Sequence, residues 1–153
     1  MIQAKKILVS FAMMIATAGV ILLGEVNAAR ADGGGGVVCV VDVVVESRTQ
    51  TGLLVSKEVY QKEFILDEGE AIFDDFSTRT RFKFLTASLQ KENGDKTIAV
   101  NWFADVTVFN SVDFNTSVVL GDGQKRGKVV GDNTVYTSNG STKTTFSLVC
   151  VEE

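Results

Sequence analysis

Histidine and proline are both absent from this chain of 153 residues, tryptophan occurs once and cysteine twice. Without histidine there can be no Ser-His-Asp or Cys-His nucleophilic arrangement. Histidine-based zinc and iron sites are equally ruled out, and two cysteines cannot make a Cys₄ site within one chain. No metal or other cofactor is expected. Without proline, the turns must be built from Gly, Asn and Asp. Basic residues are also in the minority, 15 against 19 acidic ones, a formal net charge of −4. That balance disfavours a general nucleic-acid binder, which would be basic.

What is present first is an N-terminal segment with the order of an export signal. Lys5 and Lys6 are followed by an apolar run from Ile7 to Leu23, then by small residues from Val26 to Ala31. Positive, apolar and small-residue regions in that order predict a signal peptide over residues 1–31, with cleavage after Ala31 or, alternatively, after Ala28. The apolar run is at the lower limit for a membrane span of about 20 residues, and its small-residue exit fits cleavage better than anchoring. Membrane contact is therefore expected only through this segment before cleavage, and the protein is expected to be periplasmic or secreted.

Taking 31 residues from 153 leaves 122, and losing Lys5, Lys6, Arg30 and Glu25 leaves 12 basic against 18 acidic residues, a net charge of −6. A chain of that size makes one domain. Residues 32–36, Asp-Gly-Gly-Gly-Gly, read as a flexible leader, and residues 37–153 as a single domain. Cys39 and Cys150 lie near its two ends, and an even cysteine count in an exported chain predicts a disulfide between them.

Within the domain the periodicity is that of strands. Val37 to Val45 is almost all valine, with Cys39, Val41, Val43 and Val45 on one face. Such a run suits a central strand; as an edge beside a flexible leader it would suit strand exchange with a partner. Leu53 to Leu66 reads as one long or two short strands, its β-branched and aromatic content outweighing a helical alternative. Ala71 to Phe76 is ambiguous. From Thr78 to Thr86 the alternation places Phe82 and Phe84 inward and Arg79, Arg81 and Lys83 outward. Asn93-Gly94 marks a hairpin, because both central residues must accept positive φ. It leads into Ile98, Val100, Trp102, Ala104, Val106 and Val108, an apolar face with Trp102 as the expected centre of the core. Val112 to Leu120, Lys128 to Thr137 and Thr142 to Val151 complete the series, with a bulge or break expected at Gly131-Asp132-Asn133 and a second hairpin at Asn139-Gly140. Short strands at about ten-residue spacing predict an all-β antiparallel sandwich or small barrel of about seven to nine strands.

No motif identifies a function. Arg79, Arg81 and Lys83, about 7 Å apart along one strand face, form a candidate site for an anionic ligand; paired with carboxylates such as Glu58 or Asp105 they would be a solvated face instead. Asp67, Glu68, Glu70, Asp74 and Asp75 lack EF-hand spacing. Asp74 and Asp75 could serve a carboxylate-based hydrolase only if a cleft brought them together. Asn115-Thr116-Ser117 and Asn139-Gly140-Ser141 match the glycosylation sequon. The leading expectation is a non-enzymatic exported module that binds a protein or surface polymer partner. A hydrolase, or an inhibitor presenting residues 121–127 to a secreted enzyme, are the alternatives.

Overall fold

The computed structural model describes residues 35–153, so the expected signal peptide and most of the glycine leader lie outside the described residues. The described chain is all β. Eight strands run in order: β1 (Val37–Thr49), β2 (Leu54–Leu66), β3 (Ala71–Asp75), β4 (Lys83–Glu92), β5 (Asp95–Asp105), β6 (Ser111–Leu120), β7 (Arg126–Thr137) and β8 (Gly140–Glu152). They form two four-stranded antiparallel sheets, ordered β2-β1-β8-β7 and β3-β4-β5-β6, packed as a sandwich. The strand number falls within the expected range.

Side-chain alternation explains the packing. Val37, Cys39, Val41 and Val43 of β1 and Phe146, Leu148 and Cys150 of β8 point into the space between the sheets and are buried. From the other sheet come Leu85, Ala87 and Leu89 of β4 and Ile98, Val100, Trp102 and Ala104 of β5. Trp102 retains only 2% of its exposure, as expected for the core centre. Val108 of the same expected face is exposed, because β5 ends at Asp105.

The valine-rich strand is central, not an edge. All thirteen residues of β1 pair with β8, and β2 covers the other side. Cys39 lies directly opposite Cys150 in that register, and the two are joined by a disulfide at a Cα–Cα distance of 4.1 Å, both fully buried. The first and last strands of the domain are thereby stapled side by side.

The first Asn-Gly hairpin forms as expected, with Asn93 and Gly94 both at positive φ (53° and 96°) between β4 and β5. The second differs. Its loop residues are Ser138 and Asn139, while Gly140 already pairs with Thr137 and with Thr49. Gly140 has φ 148°, and a Cβ there would stand 1.9 Å from the Arg48 carbonyl oxygen, so glycine is demanded by close strand approach. The break expected at Gly131-Asp132-Asn133 is also absent. β7 runs through it in unbroken register with β8, an edge strand that tolerates polar residues, and Gly131 makes room for the Phe114 ring of β6.

One expected strand face is inverted. β4 begins at Lys83, and residues 78–82 are a turn in which the Thr78 N–H donates to the Arg81 carbonyl (2.9 Å). Phe84 stands on the outer surface, and Arg81 and Lys83 turn toward the space between the sheets. The cause is the remainder of the strand. Leu85, Ala87 and Leu89 share the parity of Arg81 and Lys83, and three buried apolar residues outweigh two phenylalanines in deciding which face is core.

Candidate functional site

The inward-facing positions change character along the sandwich. At the disulfide end they are mainly apolar, with one ion pair across the sheets at the rim, Lys96 of β5 with Glu152 of β8 (2.5 Å). Toward the opposite end β2 passes from Leu66 and Phe64 to Tyr60, Glu58 and Ser56, β1 from Val43 and Val45 to Ser47, and β4 from Leu85 to Lys83, with Arg81 in the turn just before it. Strand pairing brings these positions level: Val43 opposite Tyr60, Val45 opposite Glu58 and Ser47 opposite Ser56. The sheets are not sealed there, and a cleft of about 200 Å³ opens between them. Val43, Val45, Trp102, Ala104 and Val106 contribute its apolar wall, and Glu58, Tyr60, Arg81, Lys83 and Asp105 its polar groups.

Several of these groups are held in place by the local backbone. The Arg81 Nη1 donates to the Val106 carbonyl (2.9 Å), and the Phe82 N–H donates to Asp105 Oδ2 (2.9 Å). The Asp105 N–H returns a bond to the Phe82 carbonyl (2.9 Å). Arg81 and Asp105 thus flank one small backbone bridge between the start of β4 and the end of β5. Lys83 Nζ meets Glu58 Oε2 at 2.5 Å, an ion pair across the two sheets, with Lys83 the more covered partner. Neither Arg81 nor Asp105 forms an ion pair among the described residues.

Tyr60 stacks on Phe76 at 4.3 Å between ring centroids, and its hydroxyl donates to Asp74 Oδ2 at 2.8 Å. Burial first, and the Asp74 carboxylate second, push its pKa well above the ordinary 10, so Tyr60 is a neutral hydroxyl at any physiological pH. Two polar atoms in this half of the core have no hydrogen-bond partner among the described residues: Trp102 Nε1 and Thr144 Oγ1. Trp102 lines the cleft, and Thr144 pairs in register with Val45, which also lines it. Each buried polar group left unpaired costs about 1–3 kcal/mol, so this end of the core carries unspent hydrogen-bonding capacity.

The cationic trio expected to share one exposed strand face is divided. Arg81 and Lys83 enter the cleft; Arg79 stays on the exposed turn outside it. The Lys83–Glu58 pairing anticipated for a solvated face forms, but it spans the cleft between sheets. Asp74 and Asp75 do not converge. As successive residues of β3 they face opposite ways: Asp74 binds Tyr60 and, at 3.4 Å, Lys62, whereas Asp75 accepts from the Ser77 N–H. Of residues 121–127, 121–125 form the β6–β7 connection, a tight turn with the Gln124 N–H on the Gly121 carbonyl, and Arg126 and Gly127 already pair with β8 in β7. Asn115 and Asn139 of the two sequons are exposed.

A second surface feature follows from the inverted face. Phe84 and Phe103 are direct neighbours on β4 and β5 and stack at 5.2 Å, and Phe73 of β3 joins them diagonally at 6.0 Å. They form an aromatic ridge on the outer surface of the β3-β4-β5-β6 sheet.

A scan against protein-family models finds no match for this chain, and no curated protein matches it.

Proposed function

We propose that this protein is a non-enzymatic binding module of an oxidising, exported compartment, and that its ligand is a small organic molecule held in the cleft between the sheets. The observation that carries the reading is the pairing of an apolar wall with two backbone-fixed but unpaired charges, Arg81 and Asp105, in one concave site. Such a combination, apolar surface for affinity and a few placed polar groups for orientation, is what small-molecule sites use. The buried Cys39–Cys150 disulfide is compatible with a periplasmic or extracellular address, and the export-type N-terminus of the sequence agrees with it. A binding role is favoured over hydrolysis because the two cleft carboxylates do not act as a pair: Glu58 is held by Lys83, which leaves Asp105 alone where carboxylate-based hydrolysis uses two.

The test is to isolate the oxidised protein natively from the exported fraction and identify, by mass spectrometry, small molecules released on denaturation. A stoichiometric ligand that is missing from an Arg81→Gln/Asp105→Asn variant of unchanged fold supports the reading. Turnover of a glycosidic or ester substrate that is lost in Asp105→Asn would replace it with an enzymatic one. A protein that carries no small molecule and gains no thermal stability from the extract overturns it.

A further inference from the structure

The chemistry of the ligand follows from the charges in the cleft. Two basic and two acidic side chains line it, so its net charge is zero. Lys83 and Glu58 neutralise each other at 2.5 Å. What remains is one guanidinium and one carboxylate, beside each other in the chain's own bridge between Phe82 and Asp105. Arg81 spends a single donor on Val106, and a guanidinium has five. Asp105 has its Oδ2 occupied and a second oxygen that accepts no bond among the described residues. A ligand with charge of one sign would satisfy one of these groups and repel the other. A zwitterion satisfies both.

The remaining wall is Val43, Val45, Trp102, Ala104 and Val106 with the neutral hydroxyls of Ser47, Ser56 and Tyr60, and the lining residue with an unpaired buried donor among the described residues is Trp102, through its Nε1. Cavities of about 150 Å³ take up a benzene ring, so about 200 Å³ accommodates a molecule the size of a single amino acid. We propose that the cleft binds a free α-amino acid with an apolar side chain. Its carboxylate sits on Arg81, with Trp102 Nε1–H as a further donor, its ammonium on Asp105, and its side chain against Val43, Val45 and Val106. This inference rests on the reading of the cleft as a small-molecule site and adds the chemical class.

Four compounds separate the three contacts, titrated calorimetrically against the oxidised full-length chain with Trp102 fluorescence recorded in parallel. L-Leucine carries all three groups, 4-methylpentanoate lacks the ammonium, 3-methylbutylamine lacks the carboxylate, and glycine lacks the side chain. L-Phenylalanine is added as a larger side chain. Hydrogen bonds to charged groups are worth enough that losing one weakens binding by about tenfold or more. Leucine or phenylalanine should therefore bind at least about tenfold more tightly than each truncated compound. The variants should cross over: Arg81→Gln removes leucine's advantage over 3-methylbutylamine, and Asp105→Asn its advantage over 4-methylpentanoate. A general loss of structure would weaken every compound alike and leave no such pattern. Trp102→Phe keeps the ring and should weaken the carboxylate-bearing compounds several-fold while sparing the amine.

If 4-methylpentanoate or 3-methylbutylamine binds as tightly as leucine, the zwitterion is wrong although the cleft remains a ligand site. If neither amino acid produces heat or a fluorescence change, the inference is overturned outright. The broader reading then stands or falls by whether the natively isolated protein carries a molecule of another class.

Discussion

Replacing both cysteines, Cys39→Ala with Cys150→Ala, should lower stability by about 4–5 kcal/mol, mostly through the unfolded chain. The bridge joins residues 111 apart, and for a loop of about 100 residues the chain-entropy model gives about 4.7 kcal/mol. In the folded state the bond holds together strands that are already paired along the whole of β1, so the ladder persists without it. Truncating two fully buried side chains adds a smaller packing loss. A single domain has about 5–15 kcal/mol in total, so the variant should remain folded but close to marginal. Urea unfolding followed by Trp102 fluorescence measures it. The midpoint should drop sharply, and the slope m should rise because the uncrosslinked chain exposes more surface. In heat the melting temperature should fall by about 15–20 °C, at about 4 °C per kcal/mol for a domain of this size. A loss below about 1 kcal/mol, or an unchanged m, would refute the reasoning and show that the bond acts on the native state alone or hardly at all.

Three further outcomes follow from particular contacts. Gly127→Ala places a Cβ 2.2 Å from Val118 Cγ1 of β6, so it should destabilise by about 1–3 kcal/mol, and Val118→Ala should recover part of that loss in a double-mutant cycle read by thermal melting. Tyr60 has its pKa raised above 10 in the fold, so its contribution is complete below pH 10 and is lost as pH rises toward the folded value; Tyr60→Phe should flatten the alkaline fall in stability, and a curve parallel to the parent's would count against it. Glu152 is held below its ordinary 4.5 chiefly by its hydrogen bond from Lys96. That contribution is present above pH 4.5 and lost as pH falls through the lower folded value, so Lys96→Gln should reduce the acid dependence of the midpoint.

Most of the fold was legible because its signals are local or nearly so. Period-2 alternation located β5 and β8, Asn93-Gly94 located a hairpin, and the position of the two cysteines at the domain's ends predicted the staple. The parity of β4 was misjudged because the window ended at Thr86, before Ala87 and Leu89 had entered the count. β3 was ambiguous for a related reason: five residues ending in two aspartates hold too little pattern to separate strand from loop. The cleft was not legible at all. Its walls come from β1, β2, β4 and β5, and the ion pair across it joins residues 25 apart on different sheets. Alternation says which residues point inward, but not which inward residues of one sheet stand over those of the other. The available clue was the loss of apolar character at Ser47, Ser56–Glu58 and Arg81–Lys83, and it becomes a site only when strand register aligns those positions.

That alignment gives the two ends of the sandwich different work. At one end Cys39, Leu66, Leu89, Ile98, Leu148 and Cys150 are buried, with the Lys96–Glu152 ion pair at the rim, and the disulfide limits what the unfolded chain can gain. At the other end Glu58, Arg81, Lys83 and Asp105 line the cleft, and Trp102 Nε1 and Thr144 Oγ1 go unpaired. A core that seals one end with apolar packing and a covalent bond can tolerate about 1–3 kcal/mol for each unsatisfied group at the other. The separation also explains why polar cleft residues need not weaken the fold's register: β1 is fixed against β8 along its entire length before any cleft side chain is considered. Substitutions at Arg81 and Asp105 should therefore change what the cleft holds far more than they change whether the protein folds, whereas substitutions around Cys39 and Cys150 should do the reverse.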